Sequence, residues 1–533
     1  MKALRLLNER VSDPVASRKQ PTIDAQIVHL RRFLASDWCL VLAVLTISLA
    51  CFALAERVPV GDGFGWDGVL YGNWARDFHE EVFVKQVNTY YIQRVLPSAV
   101  IHYSLRILRV PLTDSNILAA FGVYACVLLT LMAACWRRIA QELRIGLAGK
   151  WLGFAAFFLN YIALKYVFYC PASTDINAYA LGLAMLLCYL RRQTFWLATL
   201  TLIGAFCWPL CVHAGAIMLI FPRPAQQSPV QPPTPVPLQF GAALLLTGVA
   251  AGGILLMLHQ PLTLETVFVQ PEFVMPYRPA LNLSVAICLI YVFLGSFFLF
   301  SAGFLFSPRL LFSPRRLTTA LLVVLGMLAV KYVQRQVARH EPVDEFAILL
   351  SQTASTSVVR PGVFLVTHIA LYGPVFMLTA LLWKTVCAEM QHGGPALTFC
   401  ALIALVPSLN SQSRFFLNLF PLLVPFVVKA AERLQPGRWQ LGCFAILSLL
   451  MSKVWFTINT GPFHGRLHEF PDQGLFMSHG PWISPTMYAV QGCAYAFVGL
   501  ILYWSWFHAR TGVESLTPQL TQSSEAPTTR AVA

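Results

Sequence analysis

Residues 283–306 read LSVAICLIYVFLGSFFLFSAGFLF and contain no charged side chain. An α-helix rises about 1.5 Å per residue, so this run is long enough to cross the ~30 Å hydrocarbon core of a bilayer with its backbone hydrogen bonds closed internally. Similar runs, among them residues 40–55 and 317–330, recur along the chain. The sequence therefore predicts an all-α integral membrane protein, a polytopic helical bundle of about 12–14 transmembrane helices.

The overall composition agrees with this fold class. Of 533 residues, 57% are hydrophobic and 12% are charged, and the charged share is roughly half that of a typical soluble domain. The 13 cysteines are scattered through apolar runs without a paired CxxC spacing, which indicates buried thiols. The net charge of +14 is expected to reflect membrane topology and contact with lipid head groups, not nucleic acid.

The chain divides into two tails and one membrane domain. We predict a cytoplasmic N-terminal tail at residues 1–36, a single transmembrane domain at 37–510 and a disordered cytoplasmic tail at 511–533. The predicted long outer loops are 56–114, 259–281, 334–361 and 457–485, and a proline-rich cytoplasmic linker occupies 222–237. We expect a multi-pass protein of the cell membrane, which in a bacterium would be the inner membrane.

The apolar run 194–221 has Trp208 and Pro209 in its middle. Proline interrupts the hydrogen-bond ladder of a helix, so we predict two short helices, 194–207 and 209–221, in place of one. With this choice the inner segments hold 23 Lys/Arg and 9 Asp/Glu and the outer segments hold 15 of each, which accounts for the 38 and 24 in the chain. An excess of positive charge on the inner side is the usual orientation signal.

The first outer loop is the richest in polar and aromatic side chains, and its residues 66–75 read WDGVLYGNWA. Asp67, Tyr71 and Trp74 share helical spacing, which favours an interfacial helix with an aromatic belt. A carboxylate beside an apolar wall is costly unless it is used. We therefore predict that desolvation raises the pKa of Asp67 and makes it a proton acceptor, with Asp77 as the reserve candidate.

These residues resemble a family. A short tail, one helix and an outer loop with W-D-G-x-x-Y-x-x-x-A resemble the GT-C superfamily of membrane glycosyltransferases, which use polyprenyl-phosphate-linked sugars and include the mannosyltransferases of lipid-anchor synthesis. Residues 90–99 (YYIQRVLPSA) resemble the stretch that leads such loops back to the second helix. The resemblance implies a bundle whose first outer loop carries interfacial helices, with Asp67 at the catalytic position.

Three later segments are similar to parts of the same superfamily. Residues 171–175 (PASTD) open a helix from outside, 204–219 (GAFCWPLCVHAGAIML) resemble paired short helices with a polar tip, and 410–421 (NSQSRFFLNLFP) place an arginine at a helix start. By this resemblance Asp175 and His213, together with Tyr71 of the first loop, are candidate contacts to substrate or acceptor.

Glycosyl transfer from a lipid phosphate needs cations that stabilise the phosphate as it leaves. The candidates lie near the outer ends of apolar helices: Arg94, Lys165, Lys331 and Arg414, with Lys453 at a similar depth. Lysine and arginine chains at this level also extend to the interface without any ligand, and this alternative stays open for each residue.

The last outer loop holds a second polar cluster with His464, Arg466 and His468. The two histidines are four residues apart, a spacing that would put them on one helix face and could bind a divalent metal. Gly465 and the flanking prolines disfavour a helix, so contacts to acceptor or sugar, or a plain solvated loop, are preferred over a metal. No cofactor is assigned.

The sequence thus predicts an inverting hexosyltransferase that moves a sugar from a polyprenyl-phosphate donor to a glycan or lipid acceptor on the extracytoplasmic face. One alternative is a glycan polymerase or ligase, whose usual large outer loop is absent here. The other is a lipid or solute transporter, which would need ionisable residues at mid-membrane. The charged residues fall mainly at the predicted helix ends, which favours the transferase.

Overall fold

The computed structural model describes residues 37–224, 234–259, 278–339, 345–417, 419–455, 457–459, 483 and 485–508. Within these ranges the chain is mostly helical and forms no β-strand. Both predicted tails, most of the linker 222–237 and most of the loops 259–281 and 457–485 lie outside them. The prediction of an all-α polytopic membrane protein is confirmed at this level.

The helices follow one another with short breaks, many of them at glycine or proline. They are α1 Asp37–Leu54, α2 Trp66–Arg76, α3 Val95–Ile107, α4 Asp114–Glu142, α5 Leu147–Phe158, α6 Asp175–Leu190, α7 Thr194–Gly204, α8 Pro209–Ile220, α9 Val236–His259, α10 Arg278–Leu299, α11 Pro314–Val337, α12 Glu345–Val358, α13 Val363–Tyr372, α14 Pro374–Leu381, α15 Trp383–Gly393, α16 Pro395–Ala404, α17 Phe420–Glu432, α18 Arg438–Met451 and α19 Pro485–Tyr503. Several begin with proline. Proline has no backbone N–H, and in the first helical turn this costs no hydrogen bond because the N–H groups there have no acceptor within the helix.

Five of these helices are long and apolar enough to cross a membrane by themselves. Two bent pairs, α5 with residues 162–169 at 52° and residues 352–358 with α13 at 98°, raise the number to 7 if each pair is one span. Six further apolar helices have 10–17 residues. The predicted number of about 12–14 spans therefore stays a prediction, because it depends on how many of the shorter helices cross.

The predicted break at Trp208 and Pro209 is confirmed. Helices α7 and α8 have 11 and 12 residues and pack against each other. Their far ends also meet, because Arg192 donates a hydrogen bond to the carbonyl of Pro224. Each helix rises only about 17–18 Å, less than the ~30 Å hydrocarbon core, so the pair forms a short hairpin with its tip at residues 205–208.

Contacts between distant segments divide the loops into two groups at opposite ends of the bundle. At one end, Glu142 pairs with Arg191 at 2.9 Å, and Glu432 accepts from the amide of Gly146 at 2.7 Å. At the other end, Glu56 accepts from the amide of Ile458, also at 2.7 Å. The first group joins predicted inner segments and the second joins predicted outer segments. Which end faces the cytoplasm stays a prediction.

The first loop is a folded unit with its own small core. Helices α2 and α3 pack against each other and against α4. Tyr71 and Trp74 are each 1% exposed and belong to this core. The expected aromatic belt is therefore wrong for these two residues. Burial of two large rings stabilises α2 more than an interfacial position would. It also fixes the orientation of α2, and with it the direction of Asp67, which lies one turn before Tyr71.

Candidate functional site

A carboxylate and two guanidinium groups meet at the end of the bundle that is predicted to face outward. Asp67, in the first turn of α2, has its Oδ2 atom 3.4 Å from Nη1 of Arg414 and 3.8 Å from Nη1 of Arg94. The hydroxyl of Tyr91 donates to Oδ1 of Asp67 at 3.2 Å. The side chain of Asp67 is 28% exposed. The sequence-predicted residues Asp67, Arg94 and Arg414 therefore form one site, with the carboxylate reachable from solvent.

Arg94 is held by aromatic residues of the first loop and of the hairpin tip. It donates to the hydroxyl of Tyr71 at 3.2 Å and to that of Tyr90 at 2.6 Å. Its guanidinium lies over the ring of Trp208, 4.5 Å from the ring centroid, in a cation–π contact. Since Arg94 is 1% exposed, its position is fixed. Tyr71, predicted to contact substrate, is buried and orients Arg94.

Arg414 lies in the one-turn helix Ser413–Phe416. His368 of α13 holds this segment in place through two hydrogen bonds. Nε2 of His368 donates to the carbonyl of Ser408 at 2.7 Å, and its Nδ1 accepts from the hydroxyl of Ser413 at 2.8 Å. Tyr372, one turn further along α13, donates to the carbonyl of Ser413 at 2.7 Å. Because His368 and Tyr372 are fully buried, this clamp sets the direction of Arg414.

Asp175 is a second carboxylate near Arg414, on its buried side. It begins α6, as predicted, and is 2% exposed. One carboxylate oxygen accepts from Tyr166 at 2.9 Å and from Ser173, and the other has no hydrogen-bond partner. Asp175 acts electrostatically on Arg414. It therefore balances the charge of that arginine from the buried side and is shielded from the solvent that reaches Asp67.

The electrostatics of Asp67 differ from the prediction. Burial by itself would raise the pKa of its carboxyl, but Arg414, Arg94 and the Tyr91 hydrogen bond outweigh burial and hold the pKa below its usual range. The expected raised pKa is wrong, because the sequence shows apolar neighbours of Asp67 and hides the two cations that the fold brings to it. The neighbouring Tyr71 has its pKa raised by burial to about 12 and stays protonated at neutral pH.

An apolar cavity of about 400 Å³ lies beside the Arg414 segment, between α10 and the helices from α13 to α17. It is lined by Phe298 and Met390 at one end and by Ser408 and Phe416 near the Arg414 segment. Phe416 belongs to the same one-turn helix as Arg414. An apolar chain in this cavity would therefore end close to the charged cluster.

Two predicted residues lie elsewhere for reasons visible in their contacts. Asp77 follows the last residue of α2, roughly 15 Å along the helix from Asp67 at 1.5 Å per residue, and is exposed. Lys165 pairs with Glu56 at 2.5 Å, and both side chains are largely buried. Glu56 also accepts from the amides of residues 458 and 459, so this ion pair holds the chain where the predicted loop 457–485 begins.

Lys331 and His213 lie at exposed positions of α11 and α8, which pack together. Lys331 acts electrostatically on His213, whose ring contacts the carbonyl of Pro209 at 3.3 Å. The structure does not bring these two residues to Asp67. His464, Arg466 and His468 lie outside the described residues. Among the residues that are described, no group of three or more His, Cys, Asp or Glu side chains could hold a metal ion.

Four residues of the site were not singled out from the sequence. Tyr90 and Tyr91 begin the quoted stretch 90–99, Trp208 marks the predicted break, and His368 lies inside an apolar run. A lone histidine in such a run has no partner that sequence spacing can reveal, because Ser408 and Ser413 are 40 and 45 residues away. A tyrosine pair just before a buried arginine is the one local signal that could have been used.

No protein-family model matches the chain, and neither curated proteins nor solved structures give a significant match.

Proposed function

We propose that this chain is a membrane glycosyltransferase of the GT-C type, which moves a sugar from a polyprenyl-phosphate donor to a glycan or lipid acceptor on the extracytoplasmic face. The proposal is carried by the cluster of Asp67, Arg94 and Arg414, with the distances of 3.8 and 3.4 Å given above. A carboxylate that can take a proton and two cations that can hold a phosphate are the groups that this reaction requires.

In the proposed reaction an acceptor hydroxyl attacks the anomeric carbon on the side opposite the phosphate. The bond from this carbon to the phosphate oxygen breaks, its electron pair stays on the oxygen, and the hydroxyl proton passes to Asp67. The products are the glycosylated acceptor, with inverted configuration, and polyprenyl phosphate. Arg94 and Arg414 stabilise the charge that grows on the phosphate, so no general acid is needed.

The apolar cavity supports a lipid-linked donor. At about 400 Å³ it falls within the range of small-molecule sites, and its lining is almost entirely aliphatic and aromatic. An isoprenyl chain bound there would carry its phosphate towards Arg414, two residues from the cavity-lining Phe416. The charged cluster stands at one end of the bundle, which suits a reaction on one face of the membrane better than passage through it.

The test uses purified protein in lipid nanodiscs, a panel of radiolabelled polyprenyl-phosphate sugars and lipid or glycan acceptors. Asp67→Asn keeps the side-chain shape and removes its basicity, so transfer should fall by about a hundredfold to ten-thousandfold. Asp77→Asn, with the same charge change at an exposed position, should stay active. Full activity of Asp67→Asn would remove this residue from the mechanism. The glycans and lipids of cells lacking the protein should also change, and an unaltered profile would contradict the proposed function.

A further inference from the structure

In the structure both arginines of the site have a carboxylate as their partner. We propose that the phosphate of the lipid and Asp67 compete for these two guanidinium groups, so that binding of the donor itself releases Asp67 to act as the base. The inference rests on the proposed function for the identity of the anion. It adds an ordered sequence in which the base becomes active only when the donor phosphate is in place.

Asp67 is the partner that can move away. Arg94 is fixed by two tyrosine hydroxyls and a tryptophan ring, and its side chain is 2% exposed, whereas the side chain of Asp67 is 28% exposed. Its contacts of 3.4 and 3.8 Å are longer than the ~2.7–2.9 Å of strong charge-assisted hydrogen bonds. The Nε atoms of Arg94 and Arg414 are buried and have no hydrogen-bond partner. The cations are therefore in place for a better ligand.

The charges of the site favour this exchange. Arg94 and Arg414 carry two positive charges, and Asp67 with the buried Asp175 carries two negative ones. A singly charged donor phosphate would leave one negative charge in excess. When the acceptor hydroxyl gives its proton to Asp67, the excess negative charge passes from the carboxylate to the leaving phosphate, which the two arginines hold. The incoming anion therefore makes Asp67 a stronger base and favours the proton transfer that catalysis needs.

The groups around Asp67 are all accounted for in this balance. It faces Arg94 and Tyr91 from its own loop and Arg414 from the segment before α17. The next layer consists of Tyr71, Tyr90, Tyr166 and Asp175. Three titratable groups of α3 and α4 are bound elsewhere: His102 to the carbonyl of Ala75, Tyr124 to Asn177, and Asp114 to Arg76. Among the described residues, Arg94 and Arg414 are the cations that pair with Asp67 and could exchange it for another anion.

The experiment measures anion binding without sugar transfer. A short isoprenyl monophosphate is titrated against the detergent-solubilised full chain by microscale thermophoresis or native mass spectrometry. Asp67→Asn removes the competing anion, so binding should tighten by about tenfold or more, the factor that one charged hydrogen bond represents. Asp77→Asn removes the same charge far from the arginines and should change binding less than threefold. Weaker or unchanged binding in Asp67→Asn would overturn the exchange.

Two further arms identify the source of the anion. Inorganic phosphate and phosphatidylglycerol are titrated in the same way, and Asp67→Asn should tighten the isoprenyl probe most if the apolar cavity contributes. Equal tightening for phosphatidylglycerol would assign the arginines to bulk lipid head groups and overturn the inference for a donor. If Asp67→Asn does not fold, infrared difference spectra of wild type and Asp77→Asn decide, since the probe should shift a carboxylate band in both. No shift would refute the exchange.

Failure of this inference can be told apart from failure of the proposed function. An active transferase whose Asp67→Asn variant binds the probe no more tightly keeps the function and loses the exchange. Tighter binding in a protein that transfers no sugar keeps the exchange and loses the function. With an active enzyme the acid limb of kcat, which reports the bound state, should lie at higher pH than that of kcat/KM, which reports the free enzyme.

Discussion

Replacement of Arg94 should destabilise the protein as well as weaken donor binding. The guanidinium makes two charged hydrogen bonds, to Tyr71 at 3.2 Å and Tyr90 at 2.6 Å, and stacks on Trp208. Charged hydrogen bonds are worth about 1.5–3 kcal/mol each and a desolvated cation–π contact about 2 kcal/mol. Removing Arg94 also removes the desolvation cost of a buried cation whose counter-ion is 3.8 Å away, and this gain offsets part of the loss. We expect Arg94→Ala to lower the free energy of unfolding by about 3–5 kcal/mol.

The prediction is measured as thermal loss of monodisperse protein in one detergent, since membrane proteins commonly unfold irreversibly. Arg76→Ala is the matched control, because Arg76 belongs to the same loop and forms an exposed ion pair with Asp114 that contributes little. Arg94→Lys should recover only part of the loss, because one ammonium cannot contact two hydroxyls and stack on a ring. A variant Arg94→Ala that is as stable as Arg76→Ala would refute the structural role given to this residue.

Four more outcomes are expected. His368→Phe removes the hydrogen bonds to Ser408 and Ser413 and should lower the transfer rate by about tenfold or more, and His368→Asn should recover part of the rate. An unchanged rate in His368→Phe would contradict the proposed clamp on Arg414. Lys165→Met should destabilise the protein by about 1–3 kcal/mol and leave donor affinity unaltered, and weaker donor binding would return Lys165 to the phosphate site. The lowered pKa of Asp67 adds stability that is full above the unfolded value near 4 and is lost as pH falls below it. The difference in melting temperature between wild type and Asp67→Asn should therefore be constant from pH 7 to about 5 and shrink towards pH 3; a constant difference throughout excludes the ion pairs. Cysteines placed at 62–90 and 460–480 should be labelled from outside and those at 225–235 only from inside, and the reverse labelling inverts the topology.

The membrane helices could be predicted because their signal is local. A run of apolar residues such as 283–306 determines its own secondary structure in lipid, where an unsatisfied backbone group is costly. Pro209 likewise determines a break from its own covalent structure, and the hairpin of α7 and α8 follows from it. The 98° break before α13 contains Pro361 and Gly362, which are local signals of the same kind, whereas the helix α12 lies unpredicted within the predicted outer loop 334–361.

The individual residues of the cluster could be predicted from the sequence, but their arrangement in space could not. Asp67, Arg94 and Arg414 stand out as charged residues beside apolar helices, and the resemblance placed Asp67 at a catalytic position. Lys331 carries the same local signal and lies at an exposed position of α11, where its charge acts on His213. Equal charge at equal depth is all that the sequence contains, and packing of the helices decides which cations meet.

The sequence by itself determined the helical membrane fold, the break at Trp208 and Pro209, and a set of candidate ionisable residues, because each depends on interactions within about one helix. Only the tertiary structure decided that Arg414, 347 residues from Asp67, faces the same carboxylate as Arg94. It also reversed the expected pKa shift of Asp67, since a carboxyl group responds to every charge within a few ångströms and sequence neighbours are a small share of those.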